Sequence, residues 1–402
     1  MNKKISLGAA IAFMLVVATV TLALTMAFSM NRFTTMVNGV QQQREMYSKL
    51  TEIEQQVRDK YPDTINNDKL MDAMAAGYIS GLGEDGGKYY TADQYQKLLT
   101  TEEGRYYGVG IVPVMEPSGY IQVKEVYPDS PASNAQIVAG DMIVKVDDID
   151  VTAETYEEAA KLLQGEVGTK VNLTVRREAE DISMEITRRQ VEIPTVYANT
   201  YDRVGYLRIT SFTTGTRDQM NRQLNQAIGS NLDALVVDLR DNTGGRYNAM
   251  APALELLVPQ GDMILGKYKS SEPVVLAESE GTGASFPLVV LTNANTADTA
   301  EVFAQVLKDM TGARVVGTKT AGDGKIQEFV KLSDGSAIQL TVGRYVTPGG
   351  LIIDGEGVKP DYEVKLEGEA IDWDNIDPEF DTQLKKALEV AQASVNLEAA
   401  AQ

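Results

Sequence analysis

The chain contains no cysteine and no histidine. These two absences remove every disulfide, a thiol nucleophile, thiolate or imidazole metal sites, haem held by histidine, and a histidine general base, including any Ser-His-Asp triad. Chemistry, if present, must use carboxylates, Lys, Arg, hydroxyls, amides or backbone groups. Positive charge is also scarce. Lys and Arg number 37 against 57 Asp and Glu, a net charge of -20 over 402 residues. Such a chain repels phosphate backbones, and no local basic patch offsets this, so nucleic acid is excluded as an expected partner. Hydrophobic residues at 43% and charged residues at 23% are an ordinary globular composition. The length suggests two or three domains. No cofactor or metal signature is present. Asp147, Asp148 and Asp150, and the pair Asp238 and Asp241, read as solvated acidic loops.

One uncharged run stands out at the start. Lys3 and Lys4 precede Ile5 to Met30, and the next charge is Arg32. As a helix this run would reach roughly 39 Å, more than the roughly 30 Å hydrocarbon core of a bilayer. It is long for a cleaved signal, and only Thr25-Met26-Ala27 offers a weak cleavage site. The expectation is a single-pass signal-anchor over residues 1–31, with the preceding lysines inside and the body on the extracytoplasmic side of a bacterial cell membrane.

Residues 32–104 read as a helical region. Met46, Leu50, Ile53 and Val57 recur at helical spacing until Tyr61-Pro62 breaks the pattern. A second run, Leu70 to Ile79, ends at Gly81-Leu82-Gly83, and Asp93 to Leu99 is a third helix. This region serves as a spacer, with self-association into a homo-oligomer as the rival role. From Tyr106 the pattern turns to short alternating strands, through Lys170–Arg176. Gly108-Val109-Gly110-Ile111, Ser130-Pro131-Ala132 and Gly140-Asp141-Met142-Ile143-Val144 follow in order, and this segment, 105–187, resembles a PDZ domain. The resemblance implies that Gly108, Val109, Gly110 and Ile111 offer backbone N–H groups to a polypeptide C-terminus, which adds as a strand. Glycine permits that close approach.

Beyond Val196, apolar strands and helices alternate, which argues a layered α/β core with crossovers. Gly205-Tyr206-Leu207-Arg208-Ile209-Thr210-Ser211-Phe212, Asp238-Leu239-Arg240-Asp241-Asn242-Thr243-Gly244-Gly245, Leu332 to Ala337, Tyr345 to Gly350 and Gly357-Val358-Lys359-Pro360-Asp361 resemble the ordered blocks of the C-terminal processing (tail-specific) serine/lysine peptidases. The resemblance implies a multidomain α+β protein: the anchor, the helical region, the β-rich PDZ domain, a ClpP/crotonase-like α/β core over 188–365, and an acidic helical tail over 366–402. It also implies a serine nucleophile, a lysine base of depressed pKa, and backbone donors for the oxyanion on the Gly244-Gly245 loop.

Both reacting positions depart from that family. Anchored on Asn293 and Glu301, the nucleophile position of Asn293-Ala294-Asn295-Thr296-Ala297-Asp298-Thr299-Ala300-Glu301 is Asp298. In Gly322-Asp323-Gly324-Lys325-Ile326-Gln327 the lysine position is Asp323, while Gln327, which in the family orients the lysine, is retained. Asp298 also suits a helix N-cap, and Asp323 suits a glycine turn. The expectation is a pseudoprotease that binds polypeptide tails without cutting, alone or beside an active relative. The contrasting reading is an active endopeptidase using Thr296 or Thr299 with Lys319 or Lys325.

Overall fold

The computed structural model describes residues 7–83, 86–229, 232–269, 272–367, 371–373 and 376–401. It divides into two compact units, residues up to 71 and residues from 72. In the first, α1 (Leu7–Lys60) is one continuous helix of 54 residues, which runs through the expected boundary at 31/32 without a break. It stops just before Tyr61-Pro62, as proline dictates, with Arg58 bonded to Glu54 at 2.5 Å one turn back. Among the described residues no helix is long and apolar enough to cross a membrane. The spanning anchor expected over Ile5–Met30 therefore finds no support there; Ile5 itself, with residues 1–6, lies outside the described residues. α2 (Asn67–Ser80) bridges the division and ends at the expected glycines, Gly83 having φ +93°.

In the second unit, β1 (Gly87–Tyr90) is a strand where the sequence suggests none. α3 (Ala92–Glu102) starts with a reciprocal capping box, Gln94 N–H to Thr91 Oγ1 at 3.3 Å and Thr91 N–H to Gln94 Oε1 at 3.1 Å. β2 (Arg105–Gly108) follows at once. The expected PDZ segment folds as β3 (Ile111–Met115), β4 (Ile121–Val126), α4 (Pro131–Asn134), β5 (Met142–Val146), β6 (Ile149–Asp150), α5 (Tyr156–Leu162), β7 (Lys170–Arg177) and β8 (Glu180–Thr187). The strands run in the order β3-β4-β5-β7-β8 with β6 on β5. Alternate residues such as Ile121 and Val123, or Val171, Leu173 and Val175, are fully buried in its core. β2 is not part of this sheet: it pairs antiparallel with β9 (Arg189–Glu192), so Gly108 lies outside the sheet it was expected to join.

The α/β core then follows: β10 (Val196–Tyr201), β11 (Val204–Ile209), α6 (Thr216–Gly229), β12 (Ala234–Asp238), α7 (Tyr247–Leu254), β13 (Pro259–Tyr268), β14 (Val274–Thr282), β15 (Leu288–Thr292), α8 (Thr299–Thr311), β16 (Arg314–Gly317), β17 (Lys325–Lys331), β18 (Ala337–Val346), β19 (Tyr362–Glu363) and α9 (Thr382–Ala401). The main sheet has the order β10-β11-β12-β15-β16-β19, parallel apart from β10. β12 and β15 are buried at every residue, because helices cover both faces of a parallel sheet. α7 and α8 pack on one face through Met250, Leu254, Phe303 and Val306. α9 packs on the other through Leu384, Ala387, Val390 and Ala391. The tail expected to be helical is a helix from Thr382, and it closes the second face of the sheet. A second sheet, β1-β18-β13-β14 with β17 on β18, stands beside the first.

Candidate functional site

Parallel strands deliver their loops to one edge of the sheet, the usual place for a binding crevice in such folds. β12 leads to the Gly244-Gly245 loop and β15 to the turn that starts α8. Asp298 is the residue before α8, and its backbone is forced to φ +53°, ψ -130°. A non-glycine residue at positive φ is costly and persists only when its surroundings fix it. Gly244, at φ +91°, makes the space: a Cβ there would lie 2.8 Å from Asp298 Cβ and 2.9 Å from Thr299 N.

The Asp298 side chain lies against the glycine loop: a Cβ at residue 244 would fall 3.0 Å from its Oδ2. Burial raises its pKa well above the ordinary carboxylate range, and the nearby Asp323 charge raises it further, against the pull of the neighbouring Gly245 and Thr299 N–H dipoles. A helix N-cap at this position was expected; Asp298 is the N-cap residue, and its side chain also packs against Gly244 of the glycine loop.

Glu301, fully buried, organises the turn. Its carboxylate accepts N–H bonds from Asp298 at 3.1 Å, Gly322 at 2.7 Å and Asp323 at 2.7 Å, and a hydroxyl bond from Thr320. Burial raises its pKa, while these donors oppose the rise. Asp323 sits in the glycine turn as expected. Its carboxylate pairs with Lys325 at 2.8 Å, and Lys325 also reaches Asp354 at 3.6 Å. Asp354 in turn pairs with Arg344.

These groups border a cleft of about 560 Å³. Asp298, Gly244, Gly245, Lys325 and Gln327 line it, with Tyr345 and, from α3, Tyr95, Leu98 and Glu102. Burial raises the Tyr345 pKa, and the Asp298 charge adds to it. Glu102 pairs with Arg246 of the glycine loop at 2.5 Å, so α3 is tied across the cleft. The side chains of Gln327 and Gln339 are hydrogen-bonded to each other on neighbouring strands.

The other hydroxyl candidates are committed elsewhere. Thr296 is fully buried and donates to Leu239 O at 2.8 Å. Thr299 is fully buried and donates to Gly245 O at 3.1 Å. Neither lines the cleft, nor does Lys319, which is exposed. The serine that does line it is Ser211, two residues beyond the end of β11, which the sequence suggests only as part of a strand block. Glu102, Arg246 and Tyr345 were also missed; no local motif marks them, since the tertiary fold brings them together. Glu301 carried a readable signal, the Asp-x-x-Glu spacing of a capping box.

Asp238 corrects another expectation. It is fully buried, not solvated, and binds Arg240 at 2.6 Å and the Tyr206 hydroxyl at 2.7 Å. Arg240, also fully buried, reaches Asp381 at 2.8 Å and so joins the strand end to the start of α9.

In the PDZ-like segment, Gly110 has φ +90°, and a Cβ there would lie 2.1 Å from Ser130 Cβ. Val109 is fully buried; its N–H donates to Leu163 O at 3.1 Å and its carbonyl accepts from Ala132 at 2.8 Å. Ile111 opens β3, an edge strand.

Residues 203–364 match the family model described as Peptidase family S41, and residues 122–177 match that of a PDZ domain. The carboxy-terminal processing protease CtpA of Bacillus subtilis (strain 168) is 29% identical over 323 residues, spanning 80% of this chain and 69% of that protein. The carboxy-terminal-processing protease of Bartonella bacilliformis is 27% identical over 336 residues, 82% of this chain and 77% of that one. Among solved structures, the photosystem II D1 C-terminal processing protease aligns with a TM-score of 0.46 at 26% identity, covering 78% of this chain and 86% of that one.

Proposed function

We propose that this chain, with its peptidase family S41 domain behind a PDZ domain, is a non-cutting relative of the C-terminal processing proteases, one that captures polypeptide C-termini and holds them unhydrolysed. The observation that supports this reading is the Asp298 side chain, which lines the cleft beside Gly244 and Gly245 and packs against Gly244. The position that should offer a hydroxyl offers an acid, beside the loop whose N–H groups would steady an oxyanion. Attack by a carboxylate on an amide would give a mixed anhydride, a poor route to hydrolysis. At the lysine position Asp323 cannot take a proton as an amine would; its charge is spent on Lys325. The captured tail could shield a partner protein or compete with an active relative. An extracytoplasmic location belongs to the same proposal, supported by Lys3 and Lys4 ahead of an uncharged run.

Incubation of the full chain with an unstructured tail peptide, followed by mass spectrometry, tests the reading. No cleavage is expected. Turnover that disappears in Ser211→Ala, Thr296→Ala or Thr299→Ala would remove it. Asp298→Ser combined with Asp323→Lys is expected to yield trace cleavage, because the glycine loop and the Glu301 scaffold stay in place.

A further inference from the structure

A proline interrupts the open edge of the PDZ sheet. β3 is a terminal strand of that sheet, with β4 on one side and, among the described residues, no strand on the other. Gly110 O accepts the Tyr127 N–H at 2.9 Å just before β3, and the Glu116 N–H donates to Tyr120 O at 3.0 Å just after it. Hydrogen-bonded pairs alternate along an antiparallel ladder. Val112 and Val114 therefore bond toward β4, while Ile111, Pro113 and Met115 turn their backbone groups to the open edge. The register slips between Val112 and Pro113, but the extra residue, Lys124, is on β4, so the alternation along β3 is unbroken. Proline fits this position, because its nitrogen is tolerated in a sheet where it faces away from the ladder.

A strand edge takes up an extended peptide by offering it one rung of hydrogen bonds at every second residue. Ile111 supplies a full rung, a donor and an acceptor. Pro113 supplies no donor, since its nitrogen carries no hydrogen. Its outward carbonyl is already engaged: the hydroxyl of Tyr156, the first residue of α5, donates to it at 3.3 Å. Fixing each further residue of a flexible tail costs more conformational freedom than one hydrogen bond returns. A chain end paired with Ile111 thus gains nothing by lying down along Pro113.

We propose that Pro113 and Tyr156 form a stop on the β3 edge, so that a bound polypeptide pairs only through its last two residues and then leaves the groove. This rests on the reading that the PDZ domain receives C-termini, with the terminal residue opposite Ile111 and the third from the end opposite Pro113. The stop makes the domain a reader of chain ends with little regard for the sequence upstream, a specificity suited to holding the tails of many different proteins.

The test is fluorescence anisotropy on the full chain with labelled free-acid peptide pools of about ten residues whose last three positions are randomised. One pool is unmodified, one is N-methylated at the nitrogen of the last residue, and one at the nitrogen of the third residue from the end. In the native chain, methylation at the last residue is expected to weaken binding about fivefold, because Ile111 O loses its donor, while methylation at the third is expected to change nothing. Pro113→Val restores an N–H on the open edge, and Tyr156→Phe frees the carbonyl beside it. The double variant is expected to bind the unmodified pool about fivefold more tightly than the native chain and to become sensitive to methylation at the third residue. Equal sensitivity of the native chain to the two methylations, a result that needs no variant, would overturn the stop and leave C-terminus capture intact. A folded double variant that binds the unmodified pool no more tightly than the native chain would overturn the stop as well. Failure of the native chain to bind the unmodified pool would overturn the capture of C-termini, and the stop with it.

Discussion

Glu301 Oε2 accepts the backbone N–H of Asp323 at 2.7 Å, and the same oxygen accepts the backbone N–H of Asp298 at 3.1 Å. One buried carboxylate thus ties the start of α8 to the glycine turn around Asp323. Under the proposed reading these are the nucleophile and lysine positions, and Glu301 would hold them in register.

This makes Glu301 a structural hub. Glu301→Gln replaces one acceptor oxygen by an NH₂ that faces other donors. Leaving a buried donor unmatched costs about 1–3 kcal/mol per group. A loss of about 2–3 kcal/mol is therefore expected, read as a lower urea midpoint with an unchanged slope.

Asp298 predicts a pH dependence with a definite sign. Its folded pKa lies above its unfolded value. Above the ordinary carboxylate range of about 4, the native state holds a proton that the unfolded state has released, so stability falls as pH rises toward the folded pKa. Below about pH 4 both states are protonated and the contribution is fully present. Asp298→Asn keeps the shape of the side chain and cannot ionise. Its stability is expected to decline less between pH 4 and 8, with a gain on the order of 1 kcal/mol over the native chain at the alkaline end. Parallel declines in the two proteins would refute the assignment.

Gly244→Ala tests the close approach of the two loops. The added Cβ would sit 2.8 Å from Asp298 Cβ at a φ of +91°. Overpacking of this kind costs about 1–3 kcal/mol, and the backbone conformation adds to it. Thermal unfolding should show the loss, and hydrogen exchange should quicken at 244–245 and 298–299 first.

The Arg240 network holds α9 to the sheet. Asp381→Asn removes one of two carboxylates around a fully buried guanidinium. Breaking a buried pair from one side typically costs about 3–5 kcal/mol, because a charge is left uncompensated. The expected result is a lower unfolding midpoint together with earlier proteolysis within α9.

Elements whose residues carry their own pattern were legible. β12 and β15 are uninterrupted apolar runs, and both are strands. The first helix stops before Pro62, since proline limits the residue ahead of it. The glycine turn around Asp323 and the start of α8 after Asp298 follow from local backbone chemistry in the same way. β13, β14 and β17 escaped notice, as their half-exposed faces interrupt any apolar alternation.

The sequence by itself determined that Asp298 and Asp323 stand in glycine-and-alanine turns of the α/β core, because residue identity and spacing need no coordinates; that these are the reacting positions belongs to the proposed function. Only the tertiary structure decided what those acids do. Asp298 packs against Gly244, and Asp238 turns inward to the Tyr206 hydroxyl and Arg240, because each meets a partner distant in the chain or across a turn whose direction local propensity does not set. Burial and hydrogen bonding at such meetings depend on how the layers pack, and that information resides in the folded chain as a whole.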